Sequence, residues 1–175
     1  MQVPLVMTVI GEDRPGLVES VARLVAEHGG NWLESRMCRL GGEFAGILRI
    51  HVGREKQEGL VQALQGLQAQ GLTVVVRPDR PEAGAPGRRL ASLEIVGQDR
   101  PGIVRQISQA LARQGVNVEE FRSECRSAPM SGETLFVAHA RLQIPESCPV
   151  AELRKELERI AADLLVDVSF HELEA

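Results

Sequence analysis

The chain has 175 residues, of which 43% are apolar and 25% are charged, so its composition is that of a globular protein with one or two small domains. The formal net charge of −4 argues against broad binding to a phosphate backbone, and we expect no direct contact with nucleic acid. No apolar stretch reaches the roughly 18 residues of a membrane span, and the N-terminus does not resemble a secretory leader. We therefore expect a cytoplasmic protein without membrane contact, and three cysteines without C-x-x-C spacing are typical of reduced thiols.

In chain order, the sequence predicts a series of strands and helices and then the same series again. The first helix has an apolar face that begins at Leu17, and Gly29 ends it. Gly41-Gly42 forms a tight turn between the two strands that follow. The first series comprises strands at 4–10, 32–40, 43–52 and 72–77, a helix that ends before Gly29 and a helix at 55–70. The second series comprises strands at 90–96, 117–126, 133–143 and 165–170, a helix that ends before Gly115 and a helix at 149–163.

The two series are an internal duplication with an offset of 86 residues. The stretch GEDRPGLVES, which begins at Gly11, matches GQDRPGIVRQ, which begins at Gly97. After an insertion of about four residues near 127–131, the second copy resembles the first again. Between the copies, three prolines and two glycines indicate a linker. We predict a first domain at 1–77, a linker at 78–89 and a second domain at 90–175.

The order β-α-β-β-α-β in each copy predicts a ferredoxin-like arrangement. The fold class is therefore α+β, with two domains that each have a four-stranded antiparallel sheet and both helices on one face. The other face of each sheet and its free edges are left for association with a second domain or a second chain. We expect a homodimer.

The repeated D-R-P-G segment lies where a strand ends and a helix begins. We expect Asp13 and Asp99 either to cap free N–H groups of the helix or to place an anionic group beside its positive end. Proline suits the first helical turn, whereas a glycine there is unfavourable unless it gives access to bare N–H groups that could bind a small carboxylate. Turn chemistry alone is the alternative explanation. The occurrence of all four residues in both copies favours a ligand site.

The pattern GxDRPG(L/I)V before a helix, with GxN before the next strand, resembles the ACT domain, a module that senses amino acids. The resemblance covers the whole chain apart from the linker. In that family the loop after the first strand and the Asn that opens the second strand bind a free amino acid at a domain–domain interface. The resemblance implies these ligand-binding residues: Asp13, Arg14, Pro15, Gly16, Leu17 and Asn31, and Asp99, Arg100, Pro101, Gly102, Ile103 and Asn117. Trp32 stands where the second copy has Val118, and a Trp there would narrow or fill one of the two pockets.

Residues 31–50, NWLESRMCRLGGEFAGILRI, more narrowly resemble the tandem ACT repressors of the glycine cleavage system. The resemblance implies a non-catalytic regulator that binds a free amino acid, namely glycine. It also implies a transcription-factor protein as partner, an activator of the glycine cleavage genes that is controlled by protein–protein contact. Two alternatives stay open: a detached regulatory ACT subunit of an amino-acid or one-carbon metabolic enzyme, and a dimerisation scaffold without a ligand.

We expect no catalysis, no cofactor and no metal site. The four histidines form no HExxH or HxH pattern, and no G-x-S-x-G, Walker A or GxGxxG motif is present. We expect Cys38 and Cys125 to be buried small hydrophobic residues. The repeated Glu-x-Arg segments at 34–36 and 120–122 are expected to form cross-strand ion pairs.

Overall fold

The computed structural model describes residues 1–80, 89–127 and 132–173. The chain divides into two compact units between residues 82 and 83. Most of the predicted linker, at 81–88, lies outside the described residues, and so does most of the predicted insertion, at 128–131. Among the residues described, no helix is long and apolar enough to cross a bilayer.

The first unit has the predicted β-α-β-β-α-β order. Its elements are β1 (Gln2–Glu12), α1 (Leu17–Glu27), β2 (Asn31–Leu40), β3 (Glu43–Gly53), α2 (Arg54–Gly66) and β4 (Leu72–Pro78). The sheet order is β2-β3-β1-β4, and all neighbouring strands are antiparallel. The helix predicted at 55–70 ends earlier, at Gly66, and continues as a 3₁₀ turn at Leu67–Gln70. The predicted Gly-Gly hairpin is confirmed, since Gly41 and Gly42 have φ of 61° and 86°, the signs that a type I′ turn requires.

The second unit repeats this architecture. Its elements are β5 (Arg89–Gln98), α3 (Ile103–Arg113), β6 (Asn117–Ser127), β7 (Thr134–Ile144), α4 (Val150–Leu164) and β8 (Val166–Leu173). The antiparallel sheet has the order β6-β7-β5-β8, which corresponds strand for strand to the first unit. The predicted ferredoxin-like fold is confirmed in both units.

Each unit has its own core between the helices and one face of the sheet. In β1, every second residue is buried, with Leu5, Met7 and Val9 at most 1% exposed, as the strand period of two requires. In α1, Leu17 and Val21 are buried at helical spacing and close the core from the other side. The apolar periodicity of the sequence is therefore sufficient to explain which face of each element is covered.

The edge strands β2 and β6 each contain a β-bulge that the sequence pattern did not predict. The register of β2 against β3 shifts between Trp32 and Glu34, and that of β6 against β7 shifts between Val118 and Glu120. A bulge adds one residue to one strand, so the side-chain alternation changes at that place. In β6 the added residue, Glu119, forms an ion pair with Arg141 of β7 at 3.1 Å.

The bulge is followed by the repeated Glu-x-Arg segments, and their ion pairs are not cross-strand as expected. Arg36 pairs with Glu34 at 3.6 Å and Arg122 pairs with Glu120 at 2.8 Å, each within a single strand. Residues two apart in a strand project from the same face, which explains the pairing. These pairs are exposed to solvent and contribute little to stability.

The expectation for two of the cysteines is wrong. Cys38 and Cys125 are exposed, because they lie on the edge strands β2 and β6, near their hairpin ends. Cys148 is buried in the core of the second unit. Burial raises the pKa of the Cys148 thiol above its ordinary value of 9.0, and the nearby positive charge of Arg89 opposes this shift in part.

Candidate functional site

The D-R-P-G segment forms a tight turn between the first strand and the first helix of each unit. Gly16 has φ 92° and ψ −2°, and Gly102 has φ 100° and ψ −7°. These values are close to those of the third residue of a type II turn, for which Pro is favoured at the preceding position and Gly is needed. Pro15 and Pro101 therefore lie in the turn before the helix, and the expectation that they occupy the first helical turn is wrong.

The same geometry corrects the explanation for the glycine. Gly16 and Gly102 are the N-cap residues of α1 and α3, outside the helix interior, and their left-handed backbone is costly for any residue with a Cβ. The backbone alone thus accounts for glycine at these two positions. Access for a ligand is an additional property of the turn and is not needed to explain the residue type.

The space beside the turn glycine, at the start of the first helix of each unit, is open. A Cβ built on Gly16 would meet no atom within 4 Å, and one on Gly102 would meet only the Gln106 side chain, at 3.9 Å. Within the described ranges no side-chain hydrogen bond caps either helix, so the capping expected of Asp13 and Asp99 is not observed. The first N–H groups of a helix have no acceptor within the helix, and here a ligand could reach them.

The side chains of Leu17 and Ile103, which follow the turns, belong to the cores and are 4% and 2% exposed. They are not available to contact a ligand, and only their main chain borders the open space. A ligand at this place would therefore be held mainly by backbone N–H groups, with the positive end of the helix favouring a carboxylate.

The turn is tied to the neighbouring hairpin in the same way in both units. The Asp13 N–H donates to the carbonyl of Gly42 at 2.8 Å, and the Asp99 N–H donates to the carbonyl of Thr134 at 2.9 Å. These bonds fix the turn against the start of β3 in the first unit and the start of β7 in the second. The backbone frame of the candidate site is thus the same in both units.

The charged side chains of the two turns have different partners. In the first unit, Asp13 forms an ion pair with Arg39 of β2, and Arg14 donates to the carbonyl of Gln70 at 2.7 Å. In the second unit, Arg100 bonds only two residues back, to the side-chain oxygen of Gln98 at 3.0 Å. The first turn is therefore linked through its side chains to β2 and the 3₁₀ turn, whereas the Arg100 bond is local.

Asn31 and Asn117 are not brought close to the turn of their own unit. Asn31 pairs with His51 of β3, and His51 pairs with Pro4 near the start of β1. The Pro-Gly turn follows Glu12, at the other end of β1. Eight residues of strand separate these levels, a distance of about 27 Å along the sheet. The second unit has the same arrangement. One small ligand cannot contact both predicted groups of residues within one unit, so the turn and the Asn are separate candidate sites there.

Trp32 packs against the core of the first unit, where it is partly buried. Val118, at the equivalent position of the second unit, is 39% exposed. The difference between the two copies that the sequence indicated is therefore present in the structure, at the start of each edge strand.

No group of three potential metal ligands occurs within residues 1–80, 89–127 and 132–173. The ring of His28 is hydrogen-bonded through Nδ1 to the carbonyl of Leu24 at 2.8 Å, at the end of α1. His139 lies 4.0 Å from Glu94 on the exposed face of the second sheet. These two histidines thus have structural partners on the surface or at a helix end.

Two successive ferredoxin-like units with a Pro-Gly turn before the first helix are matched by models of a known family. The ACT domain matches residues 3–77 and again residues 91–145. Together these matches span most of the chain, and the chain belongs to the ACT-domain family, with two such domains in tandem.

Among individual proteins, one relative by sequence and two crystal structures are similar to this chain. The chain is 26% identical over 166 residues to the glycine cleavage system transcriptional repressor of Escherichia coli (strain K12), which is 91% of this chain and 85% of that protein. It resembles the crystal structure of an unknown protein from Galdieria sulphuraria, with a TM-score of 0.86, 29% identity, and coverage of 99% of this chain and 100% of the other. A crystal structure described as a glycine cleavage system transcriptional repressor has a TM-score of 0.70 and 20% identity, with coverage of 100% and 99%, and supports the fold.

Proposed function

We propose that this chain is a non-catalytic, cytoplasmic regulator that senses a free amino acid, glycine, and controls a transcriptional activator of glycine cleavage genes by protein–protein contact. The observation that carries the proposal is the extent of the similarity to the Escherichia coli repressor. It covers 91% of this chain and 85% of that protein, so both ACT domains are included.

The turn geometry supports a ligand of this chemistry. The open space at Gly16 and Gly102 borders uncapped helix N-termini, which favour a carboxylate. Because the side chains of Leu17 and Ile103 are buried, the site offers no apolar contact from these residues to a ligand side chain. Glycine, which has a carboxylate and no side chain, is the amino acid with least need of such a contact.

Control of the partner follows from linkage. If glycine binds one arrangement of the protein more tightly than another, it shifts the protein towards that arrangement. A partner that binds the other arrangement is then released, and by reciprocity the partner weakens glycine binding by the same factor.

The outer face of the first sheet offers a surface for such a partner. Ile47 and Val75 are 49% and 48% exposed, and both lie beside Thr8 in the strand register. Ile10, also on this face, is 49% exposed. Adjacent half-exposed aliphatic side chains on a sheet are typical of a protein-binding surface. We expect Ile47→Glu to weaken contact with the activator and to leave glycine binding unchanged.

The test of ligand binding is thermal unfolding of the purified protein with a panel of free amino acids. A ligand at one hundred times its dissociation constant adds about 2.7 kcal/mol to the free energy of unfolding. We expect glycine to raise the melting temperature selectively. A shift with another amino acid would retain an amino-acid sensor and reject glycine, whereas no shift with any of them would leave a dimerisation scaffold.

The turns can be tested separately with Gly16→Asn and Gly102→Asn. Asn tolerates a left-handed backbone better than most residues, and its side chain would occupy the space in front of the helix. Gly29→Asn and Gly115→Asn are the matched controls, because these glycines also have positive φ, 67° and 68°, but follow the other ends of the same helices. Equal loss of glycine binding in a variant and its control would contradict the assignment to the turn.

A further inference from the structure

The second unit contains an apolar cavity on the helix side of its sheet, with a volume of about 150 Å³. Leu93 and Ala140 lie in the sheet beneath it, Ile107 and Leu111 of α3 border it, and Val118 and Phe121 of β6 border it on the other side. Ser108 is the one polar residue among those that line it, and its hydroxyl is hydrogen-bonded to the carbonyl of Arg105 at 3.1 Å. Among the lining residues that the structure describes, no side chain therefore offers a free polar group.

The β-bulge explains why the edge strand borders this cavity. With the extra residue Glu119, Val118 and Phe121 project from the same face of β6, although they are three residues apart. Both are exposed by about two fifths, at 39% and 41%. They flank an opening, so the cavity can be reached from solvent.

The first unit shows what fits at this place. Trp32 occupies the position of Val118, and Leu48 occupies that of Ala140, since Leu48 is opposite Met7 in the register and Ala140 is opposite Leu93. Trp32 packs against the core there, and Leu48 is 2% exposed. The second unit has a smaller residue at both positions. Its larger residue in β6, Phe121 in place of Ser35, is partly exposed and forms a wall of the cavity.

We propose that this cavity of the second unit binds the aromatic group of a small molecule, with one ring or two fused rings, at the place that corresponds to the Trp32 indole of the first unit. An apolar cavity of about 150 Å³ is large enough for benzene, and its apolar lining gives water few hydrogen-bond partners. The ligand class differs from glycine, which has no side chain to enter the cavity. The proposal does not depend on glycine binding, and either can fail alone.

The test uses the full chain with ¹³C-methyl-labelled alanine and two probes, benzene and indole. The Ala140 methyl group lies at the cavity and reports its occupation. We expect saturable shifts of this signal at one equivalent of bound probe, together with a higher melting temperature. If neither probe shifts the Ala140 signal, the proposal is overturned. L-phenylalanine is the third compound. Binding of L-phenylalanine would identify an aromatic amino acid as the ligand class, whereas binding of benzene or indole alone would identify an uncharged aromatic molecule.

Val118→Trp copies the first unit and should abolish the shift. Leu40→Trp introduces the same side chain at the end of β2 in the first unit, where Leu40 is 81% exposed, and should leave probe binding unchanged. If Val118→Trp does not fold, Ala140→Leu, which copies Leu48, fills the cavity from below, and the melting temperature then reports binding. Retention of binding in the filled variant would overturn the proposal. So would failure of the unchanged chain to bind either probe together with a change of oligomeric state in Val118→Trp, because the cavity would then be a contact between copies of the chain.

Discussion

Gly11 provides the sharpest test of the fold, because its role is a close approach of two strands. A Cβ on Gly11 would fall on the carbonyl oxygen of Gly71 and within 3.3 Å of the Leu72 Cα. Both contacts are with backbone, and the Gly71 N–H is itself bonded to the carbonyl of Gln68 at 3.0 Å. In Gly11→Ala, β4 must therefore move away from β1 at the last residue pair of their register, Gly11 with Leu72.

The magnitude follows from two opposing terms. Forcing an extra methyl group into a packed site costs about 1–3 kcal/mol. Replacing Gly by Ala at a position that Ala can adopt stabilises by about 0.4–1 kcal/mol through the unfolded chain. We expect a net loss of about 1–2 kcal/mol, which for a unit of this size is a decrease of the melting temperature by roughly 4–16 °C.

The assay is urea unfolding followed by tryptophan fluorescence. Trp32 is the single tryptophan of the chain and packs against the core of the first unit, so its emission reports the unfolding of that unit. Gly66→Ala is the matched control: Gly66 has helical φ and ψ of −60° and −23°, and a Cβ there would meet nothing within 4 Å. We expect the control to be stabilised by about 0.5–1 kcal/mol. If Gly11→Ala is as stable as Gly66→Ala, the close approach does not constrain the sheet and the reasoning is refuted.

Three further predictions concern the second unit and the edge strand. Gly97→Ala should destabilise the second unit by about 1–3 kcal/mol in calorimetry, because its Cβ would lie 2.6–2.8 Å from atoms of Val166, and an unchanged transition would contradict this. The raised pKa of the buried Cys148 thiol should make stability fall as the pH rises above the ordinary value of 9.0, and Cys148→Ala should remove this part of the pH dependence of urea unfolding. Trp32→Val should lower the free energy of unfolding of the first unit by about 2 kcal/mol in calorimetry, which is less than the 3–5 kcal/mol lost when a fully buried Trp is replaced by Ala, because Trp32 is only partly buried. A neutral effect would show that the indole does not fill the core.

The elements and their order could be predicted because periodicity and turn residues act locally. The apolar face from Leu17 and the Gly41-Gly42 hairpin are confirmed within a residue or two. The position of Asn31 relative to the turn could also have been derived, since in a βαββ order the second strand runs parallel to the first and begins at the opposite end. The resemblance implies one site for both motifs, whereas the strand order places them at opposite ends of the sheet within a unit.

Other features could not be read from the pattern. The bulges in β2 and β6 each add one residue without a sequence signal, and the bulge in β2 decides that Trp32 and Ser35 share a face. The need for glycine at Gly11 and Gly97 arises from strands that are far apart in sequence. The cavity depends on two residues, Val118 and Ala140, that are unremarkable until the strands are placed side by side.

The comparison of the two repeats separates what the fold needs from what a ligand would need. The Pro-Gly turn has nearly the same backbone in both units, with φ of 92° at Gly16 and 100° at Gly102, although the interiors differ at Trp32 and Val118. The left-handed backbone of this turn needs glycine whether or not a ligand binds. The repetition of D-R-P-G is therefore weaker support for binding than the sequence alone indicates. Glycine binding has to be measured unit by unit, with Gly16→Asn for the first unit and Gly102→Asn for the second, because the two units have the same turn but different interiors.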